Sequence, residues 1–193
     1  EIGKIVKIID NIDFKGNNYT VVGLEKGEYE QCNFVNCNFN RTDLSHIKFV
    51  ECDFKDCDIS LAKIIDTTFS DVTFKNCKLL GLHFENCNEF LFSVDFEACQ
   101  LNLSSFFKLK LKNTIFKDCS LHEADFVEAD LSKSVFDNCD FAGTSFERTN
   151  LAGADFRTSF NYNFDPELNH IKNAKFSLTG IAGLLSKYNI QID

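Results

Sequence analysis

Large apolar residues recur at every fifth position of the chain from Phe14 to Phe156. One run begins at Phe14 and ends at Phe84, and a second run with the same spacing begins at Leu91 and ends at Phe156. Together the two runs contain 29 positions, all occupied by Phe, Leu, Ile or Tyr. In a helix the buried residues recur with a period near 3.6, and in a strand they recur with a period of about 2. Neither structure explains this spacing. The chain must instead turn a corner every five residues.

Four such steps close into a square coil of about 20 residues, and coils of this kind stack at about the inter-strand spacing of 4.8 Å. The pattern therefore predicts an all-β solenoid. The position two residues before each large residue should also point inward, and it is mostly small, as at Cys37, Ala62 and Ser104. The other three positions of each unit carry nearly all of the charged and amide side chains, which places them on the outside.

Within this pattern a small residue, Asp and then Phe or Leu follow one another repeatedly. Examples are Ala124-Asp125-Phe126, Ala129-Asp130-Leu131, Ala154-Asp155-Phe156, Cys52-Asp53-Phe54 and Cys139-Asp140-Phe141. The sequence resembles the pentapeptide-repeat proteins, whose consensus is a small residue, Asp or Asn, Leu or Phe, and two variable residues. The resemblance covers about three quarters of the chain. It implies a right-handed quadrilateral β-helix, here of just over seven coils, with the Phe and Leu ladder in its core.

Three segments follow from these patterns. Residues 1–13 form a lead-in strand or lid, rich in β-branched residues at Ile2, Ile5, Ile8, Ile9 and Ile12. Residues 14–160 form the β-helix, with a phase break at about 87–94 where two extra residues are accommodated. Residues 161–193 form a C-terminal cap.

The cap should contain a helix over about 178–187, with Ser177 as its N-cap. Its apolar residues share one face: Leu178, Ile181, Leu184, Leu185 and Tyr188. That face closes the last coil. An alternative is that it also forms a twofold homodimer, as the resemblance to the quinolone-resistance members of the family implies.

The nine cysteines are expected to be buried and reduced. Eight occupy the small inward position, and Cys87 does so too if the phase break falls just after it. Six stack along one wall: Cys37, Cys57, Cys77, Cys99, Cys119 and Cys139. Parallel side chains in such a ladder have poor geometry for disulfides, and the spacing does not match a metal site.

Catalytic chemistry is not expected. The four histidines, at 46, 83, 122 and 170, fall on different walls or in the tail, and Ser120, His122 and Asp125 are neighbours only in sequence. The chain has no glycine-rich phosphate loop and no basic stripe, so we expect no enzyme, no cofactor and no direct nucleic-acid binding. No stretch is apolar enough to span a membrane, and Glu1 to Asp10 does not have the layout of a signal peptide, so a cytoplasmic location is expected.

Charge is the remaining functional signal. The net charge is −9, and acidic residues are dense from Asp118 to Asp140. The candidate partner-binding residues there are Asp118, Glu123, Asp125, Glu128, Asp130, Asp137 and Asp140. An acidic rod could occupy a DNA-binding saddle by presenting charge where phosphates lie.

The resemblance sharpens this interpretation, because quinolone-resistance pentapeptide proteins bind DNA gyrase and topoisomerase IV. It implies a DNA mimic that protects its target from quinolones. The alternative is a general protein-interaction scaffold of unassigned partner. Such a scaffold would use exposed apolar positions that align along the cysteine wall, at Leu61, Leu80 and Leu103.

Overall fold

The chain winds into a four-walled solenoid, as predicted, in the computed structural model, which describes residues 7–192. Each wall is named here by its ladder of large inward residues. Wall A carries Phe14, Phe34, Phe54, Phe74, Phe96, Phe116, Phe136, Phe156 and Phe176. Wall B carries Tyr19, Phe39, Ile59, Leu79, Leu101, Leu121 and Phe141. Wall C carries Leu24, Leu44, Ile64, Phe84, Phe106, Phe126 and Phe146, and wall D carries Ile9, Tyr29, Phe49, Phe69, Phe92, Leu111, Leu131, Leu151 and Ile171.

Short strands on walls A and D form two parallel sheets. The wall D sheet contains β1 (Ile8–Asp10), β3 (Glu28–Glu30), β5 (Lys48–Val50) and β7 (Thr68–Ser70). The wall A sheet contains β2 (Asp13–Lys15), β4 (Asn33–Val35), β6 (Asp53–Lys55), β8 (Val72–Lys75), β9 (Val94–Glu97), β10 (Ile115–Lys117) and β11 (Val135–Asp137). Partner residues differ by 20 positions, as in Phe34 and Phe54, except across the break, where Phe74 pairs with Phe96. Within the predicted lead-in, Ile2 and Ile5 lie outside the described residues, and Ile8 begins β1.

The nine phenylalanines of wall A form one continuous stack, in which successive ring centroids are 4.7 to 5.5 Å apart. The stack passes through the phase break without interruption, because Phe74 lies 5.5 Å from Phe96. Phe176 stacks on Phe156 as its last ring. Offset stacking of this kind adds about 0.5–1.5 kcal/mol per pair to the gain from burying the rings.

The corners of the coil are of two kinds. At a closed corner the carbonyl of the large residue accepts a hydrogen bond from the N–H three residues later, as Ile59 does from Ala62 at 3.2 Å. At an open corner, which follows a strand, a cysteine thiol bonds the carbonyls instead. The Cys57 Sγ lies 3.3 Å from both the Phe34 and the Lys55 carbonyl oxygens. Eight of the nine cysteines occupy open corners, whereas Ser, Thr or Ala fills most closed ones; Cys87, at a closed corner, is the exception.

All nine cysteines are free and buried, as predicted. Burial raises the pKa of the Cys52 thiol to about 12, and it also raises the pKa of Cys87. A thiol that stays protonated is a poor nucleophile and a poor metal ligand. Cys52 and Cys87 are therefore structural groups, one at an open corner and one at a closed corner.

Most corner residues adopt a left-handed backbone. Glycine would adopt this conformation freely, yet most of these positions carry other residues, such as Arg41 with φ of 55° and Lys133 with φ of 60°. A left-handed backbone costs an L-residue roughly 1–2 kcal/mol. Many corners therefore keep a side chain at an energetic cost to the fold.

The phase break lies on wall D, and one prediction about it is wrong. Cys87 is buried, and the extra residues follow it, since Asn88 N–H donates to the Thr67 carbonyl and Ser93 N–H to the Phe69 carbonyl. Leu91, however, does not restart the ladder: it has φ of 63° and its side chain is 63% exposed. Phe92 takes its place and packs edge-on against Phe69 and Phe84, with centroids 6.4 and 6.3 Å away. Phe90 points outward and is 75% exposed.

The C-terminal helix is much shorter than the predicted 178–187. The α-helix α1 spans only Ala182–Leu185 and continues as a 3-10 turn over Ser186–Tyr188. Two further 3-10 turns lie at Phe84–Asn86 and Pro166–Leu168. Ser177 caps a turn that precedes the helix, since its Oγ accepts the Gly180 N–H at 3.1 Å. None of the helices in the described part of the chain is long and apolar enough to cross a membrane.

The two glycines of the cap explain its irregular shape. A Cβ at Gly183 would collide with the backbone carbonyl of Tyr162, and one at Gly180 would collide with the Tyr162 hydroxyl. The cap therefore lies directly on the last coil at these two points. Of the five apolar residues predicted to share a helix face, only Leu184 is buried. Leu178 precedes the helix and is 89% exposed.

Candidate protein-interaction surface

Five of the seven predicted acidic residues lie on wall B, on its two edges or just beyond one of them. Asp140 is on wall B itself, where its backbone forms an isolated parallel β-bridge with Ser120. Asp118 and Asp137 lie where wall A meets wall B, and their backbones are joined by a 2.8 Å hydrogen bond. Glu123 lies at the opposite edge, and Asp125 begins wall C just beyond it. We call these five residues the acidic side.

The other two predicted residues, Glu128 and Asp130, lie elsewhere. Glu128 is at the edge between walls C and D, where it accepts a hydrogen bond from Arg148 at 2.8 Å and lies 3.5 Å from Lys108. Asp130 is on wall D, in register with Lys110. Arg148 and Lys108 lie beside Glu128, and Lys110 adjoins Asp130, so these two residues do not extend the acidic side.

Neighbouring groups hold the carboxylates of the acidic side in place. Burial alone would raise the pKa of Asp140, but hydrogen bonds from His122 at 2.7 Å and Asn161 at 2.8 Å outweigh burial and lower that pKa. Asp118 accepts a hydrogen bond from Asn138 at 2.7 Å, and Asp125 accepts the Val127 N–H at 2.8 Å. These carboxylates thus stabilise the turns and also present fixed negative charge.

The histidines do not assemble a catalytic group. His46 lies at the edge between walls C and D, and the other three lie on walls C, B and D. His122 pairs with Asp140 and not with Ser120, whose hydroxyl donates to Asn102 at 2.6 Å. Among residues 7–192 no cluster of three or more His, Cys, Asp or Glu side chains could hold a metal ion. The surface can present charge and apolar contacts.

The leucines predicted for an apolar contact lie at the edge between walls B and C. Leu61 and Leu103 occupy corner positions, with φ of 57° and 61°, and are 49% and 60% exposed. Gly81 lies between them and leaves room for Leu61, whose Cδ2 would be only 2.8 Å from a Cβ there. Leu80 is half-buried. Two of the three residues are therefore available to a partner.

The sequence signals did not distinguish the two kinds of corner or the sides of the rod. The cysteines at open corners were predicted only as small inward residues. The acidic residues from Asp118 to Asp140 are close together in sequence and suggest one surface. Because 20 residues complete a full coil, they face several walls. Counting positions in fives from Phe116 places Glu128 at the edge between walls C and D and Asp130 on wall D, away from the other five residues.

Comparison with known proteins places this architecture among characterised ones. The family model described as "Pentapeptide repeat region" matches residues 24–106 and 89–161. A trypsin-treated form of QnrB1, described as a plasmid-mediated fluoroquinolone resistance protein, is 18% identical with a TM-score of 0.50, covering 97% of this chain and 100% of that one. HetL, a pentapeptide repeat protein involved in heterocyst differentiation regulation from the cyanobacterium Nostoc, is 16% identical with a TM-score of 0.46, covering 89% of this chain and 84% of that one. The search of curated proteins found no match.

Proposed function

We propose, from the premise that the chain belongs to the pentapeptide repeat family, that it is a non-enzymatic rod that binds a type II topoisomerase by imitating duplex DNA. The acidic side carries this proposal. Its five carboxylates lie on and beside one wall, and the basic side chains beside them are His122 and Lys117. Such a surface is attracted to the cationic saddle that normally holds DNA phosphates. DNA gyrase and topoisomerase IV are the proposed partners.

The dimensions of the rod support the proposal. The wall A stack has nine rings and therefore eight coil spacings, which at about 4.8 Å each give a length of roughly 38 Å. Duplex DNA rises about 3.4 Å per base pair. The rod thus has the length of about eleven base pairs. The description of QnrB1 makes protection from fluoroquinolones the first activity to test.

The test is a gyrase supercoiling assay with and without a fluoroquinolone. The purified rod should protect supercoiling from the drug, and raising the salt should weaken protection because screening reduces an electrostatic fit. Neutralising the acidic side with Asp118→Asn, Glu123→Gln, Asp125→Asn, Asp137→Asn and Asp140→Asn should abolish protection. Asn keeps a side-chain oxygen for the turn hydrogen bonds. The matched control is Glu128→Gln with Asp130→Asn, which should retain protection.

One result of this assay would contradict the topoisomerase proposal, and another would contradict the role of the acidic side. Supercoiling and drug sensitivity that stay unchanged at a large excess of the rod would remove the topoisomerase proposal. Protection that survives neutralisation of the acidic side, or that is lost equally in the control variant, would show that a different surface binds the enzyme.

A second candidate function is a protein-interaction scaffold that uses Leu61 and Leu103. The supporting observation is that both leucines are exposed on a left-handed backbone, where neither burial nor conformational preference favours leucine. Changing both residues to Ser should abolish binding of a partner recovered by pull-down while the melting temperature stays nearly unchanged. A large loss of stability would mean that the leucines are structural.

Dimerisation through the cap is also proposed. Leu178, Ile181 and Tyr188 are exposed there, whereas Leu184 packs on the rod and serves the cap alone. Leu178→Asp should produce a monomer in sedimentation if this surface pairs, and an unchanged sedimentation coefficient would remove the proposal. The cytoplasmic location stays a proposal that follows from a topoisomerase partner.

A further inference from the structure

Charge is divided along wall D. In the coils before the phase break, wall D and its edge with wall A carry five carboxylates and one lysine on their outer surface: Asp10, Glu28, Glu30, Glu51, Asp71 and Lys48. Lys48 pairs with Glu28. In the coils after the break the same surface exposes four lysines and one carboxylate: Lys110, Lys112, Lys133, Lys172 and Asp130. None of these four lysines joins an ion pair within residues 7–192. One half of wall D is therefore acidic and the other half is basic.

The phase break lies at the midpoint of this surface. Four ladder residues precede it on wall D, from Ile9 to Phe69, and four follow it, from Leu111 to Ile171. The wall D sheet ends at β7, just before the break. At the break itself Phe90 and Leu91 project outward and are exposed. Wall D thus has two exposed apolar side chains, beside the exposed Glu89, between two halves of opposite charge.

We propose that wall D binds wall D of a second copy of this chain, with the two rods antiparallel about a twofold axis at the break. A twofold interface is self-complementary, since each patch meets its symmetry mate. The axis reverses the direction of the rod, so the acidic half of each copy faces the basic half of the other. Phe90 and Leu91 from both copies meet at the centre, where they are shielded from water.

Rung by rung, the symmetry brings opposite charges together at several places. The rotation keeps the strand direction, so each position along a wall D strand meets the same position in the second copy. One rung from the axis, Asp71 lies beside Lys112, and two rungs from it Glu51 faces Lys133 and Lys48 faces Asp130. Four rungs from the axis, Asp10 faces Lys172. The charges therefore favour this orientation over a parallel one.

The available area is that of a small dimer interface. A wall five residues wide spans about 16 Å and the rod is about 38 Å long. Each copy can thus bury on the order of 600 Å², or about 1,200 Å² in total, at the lower limit for a specific interface. With only two apolar side chains at the centre, the dimer should be weak and sensitive to salt.

Two charge-reversed variants test the proposal by sedimentation velocity. The first is Lys110→Glu with Lys112→Glu, and the second is Glu30→Lys with Glu51→Lys and Asp71→Lys. The wild-type chain should show a concentration-dependent dimer in low salt that dissociates at about 0.5 M salt. Each variant alone should be monomeric, because its two halves then carry the same sign. An equimolar mixture of the two should form a heterodimer, because each reversed half meets its complement.

Circular dichroism should show that both variants are folded. The proposal is overturned if the wild-type chain stays monomeric at millimolar concentration, or if the two variants do not associate when mixed. It is also overturned if dimers persist in each variant and disappear in Leu178→Asp, because the cap would then hold the copies together. Phe90→Asp, which changes no residue of the charged halves, should weaken the wild-type dimer at least tenfold.

Discussion

The Phe116 side chain offers the sharpest test of how the solenoid is stabilised. Its ring is fully buried and stacks between Phe96 and Phe136, each 5.0 Å away, and it meets Phe106 and Phe126 edge-on at 6.1 and 6.0 Å. Phe116→Ala should cost about 5 kcal/mol, at the upper end for a buried Phe. The closely stacked neighbours are held by the wall A strands and cannot collapse into the cavity, and two stacked pairs are lost.

Two matched substitutions calibrate this value. Phe14→Ala removes the first ring of the same stack, which has one stacked neighbour and is partly exposed, so it should cost about half as much. Phe90→Ala removes an exposed ring and should cost less than about 0.5 kcal/mol. Urea unfolding followed by circular dichroism measures all three in the same buffer. A cost for Phe116→Ala below about 1.5 kcal/mol, or one equal to that of Phe90→Ala, would refute the stacked core as the main source of stability.

Three further predictions follow from the corners and the cap. The pKa of Cys52 rises from about 9 in the unfolded chain to about 12 in the fold, so the unfolded chain loses its proton first as pH rises. The free energy of unfolding should then fall between pH 9 and 12 by up to about 1.4 kcal/mol per pH unit. Cys52→Val, which places at this position the residue found at Val72 in the next coil, should reduce that slope in urea unfolding. An unchanged slope would contradict the raised pKa of Cys52. Leu103→Gly should stabilise the fold by about 0.5–1 kcal/mol because it relieves a left-handed leucine, and a lower melting temperature would show that the side chain packs more than its exposure suggests. Gly183→Ala should detach the cap while the rod stays folded, so a protease should cleave near the C-terminus first; protection equal to wild type would disprove the close contact with Tyr162.

The sequence predicted the walls well because the inward positions leave few choices of residue. A charged side chain at Phe54 or Leu121 would be buried without a partner, so the period of five is visible in every coil. At the break this constraint fails. Leu91 and Phe92 are both apolar, and only the left-handed backbone at Leu91 determines that Phe92 turns inward.

The cap and the cysteines were harder to predict, for different reasons. In the sequence, Gly180 and Gly183 are residues that lower the stability of an amphipathic helix. In the structure they let the backbone approach Tyr162 closely. That contact joins distant parts of the chain, so the local pattern does not contain it. Open and closed corners both span five residues, and therefore spacing alone could not show that Cys57 bonds two carbonyl groups.

The central claim, that the rod takes the place of DNA, is tested most directly by competition. Gyrase is bound to a fluorescent duplex in low salt, and the rod is added while anisotropy is followed. We expect the wild-type rod to displace the duplex, higher salt to weaken the displacement, and the variant neutralised on the acidic side to displace none. A rod that binds gyrase while the duplex stays bound, or that leaves the anisotropy unchanged at saturating concentration, would contradict the claim.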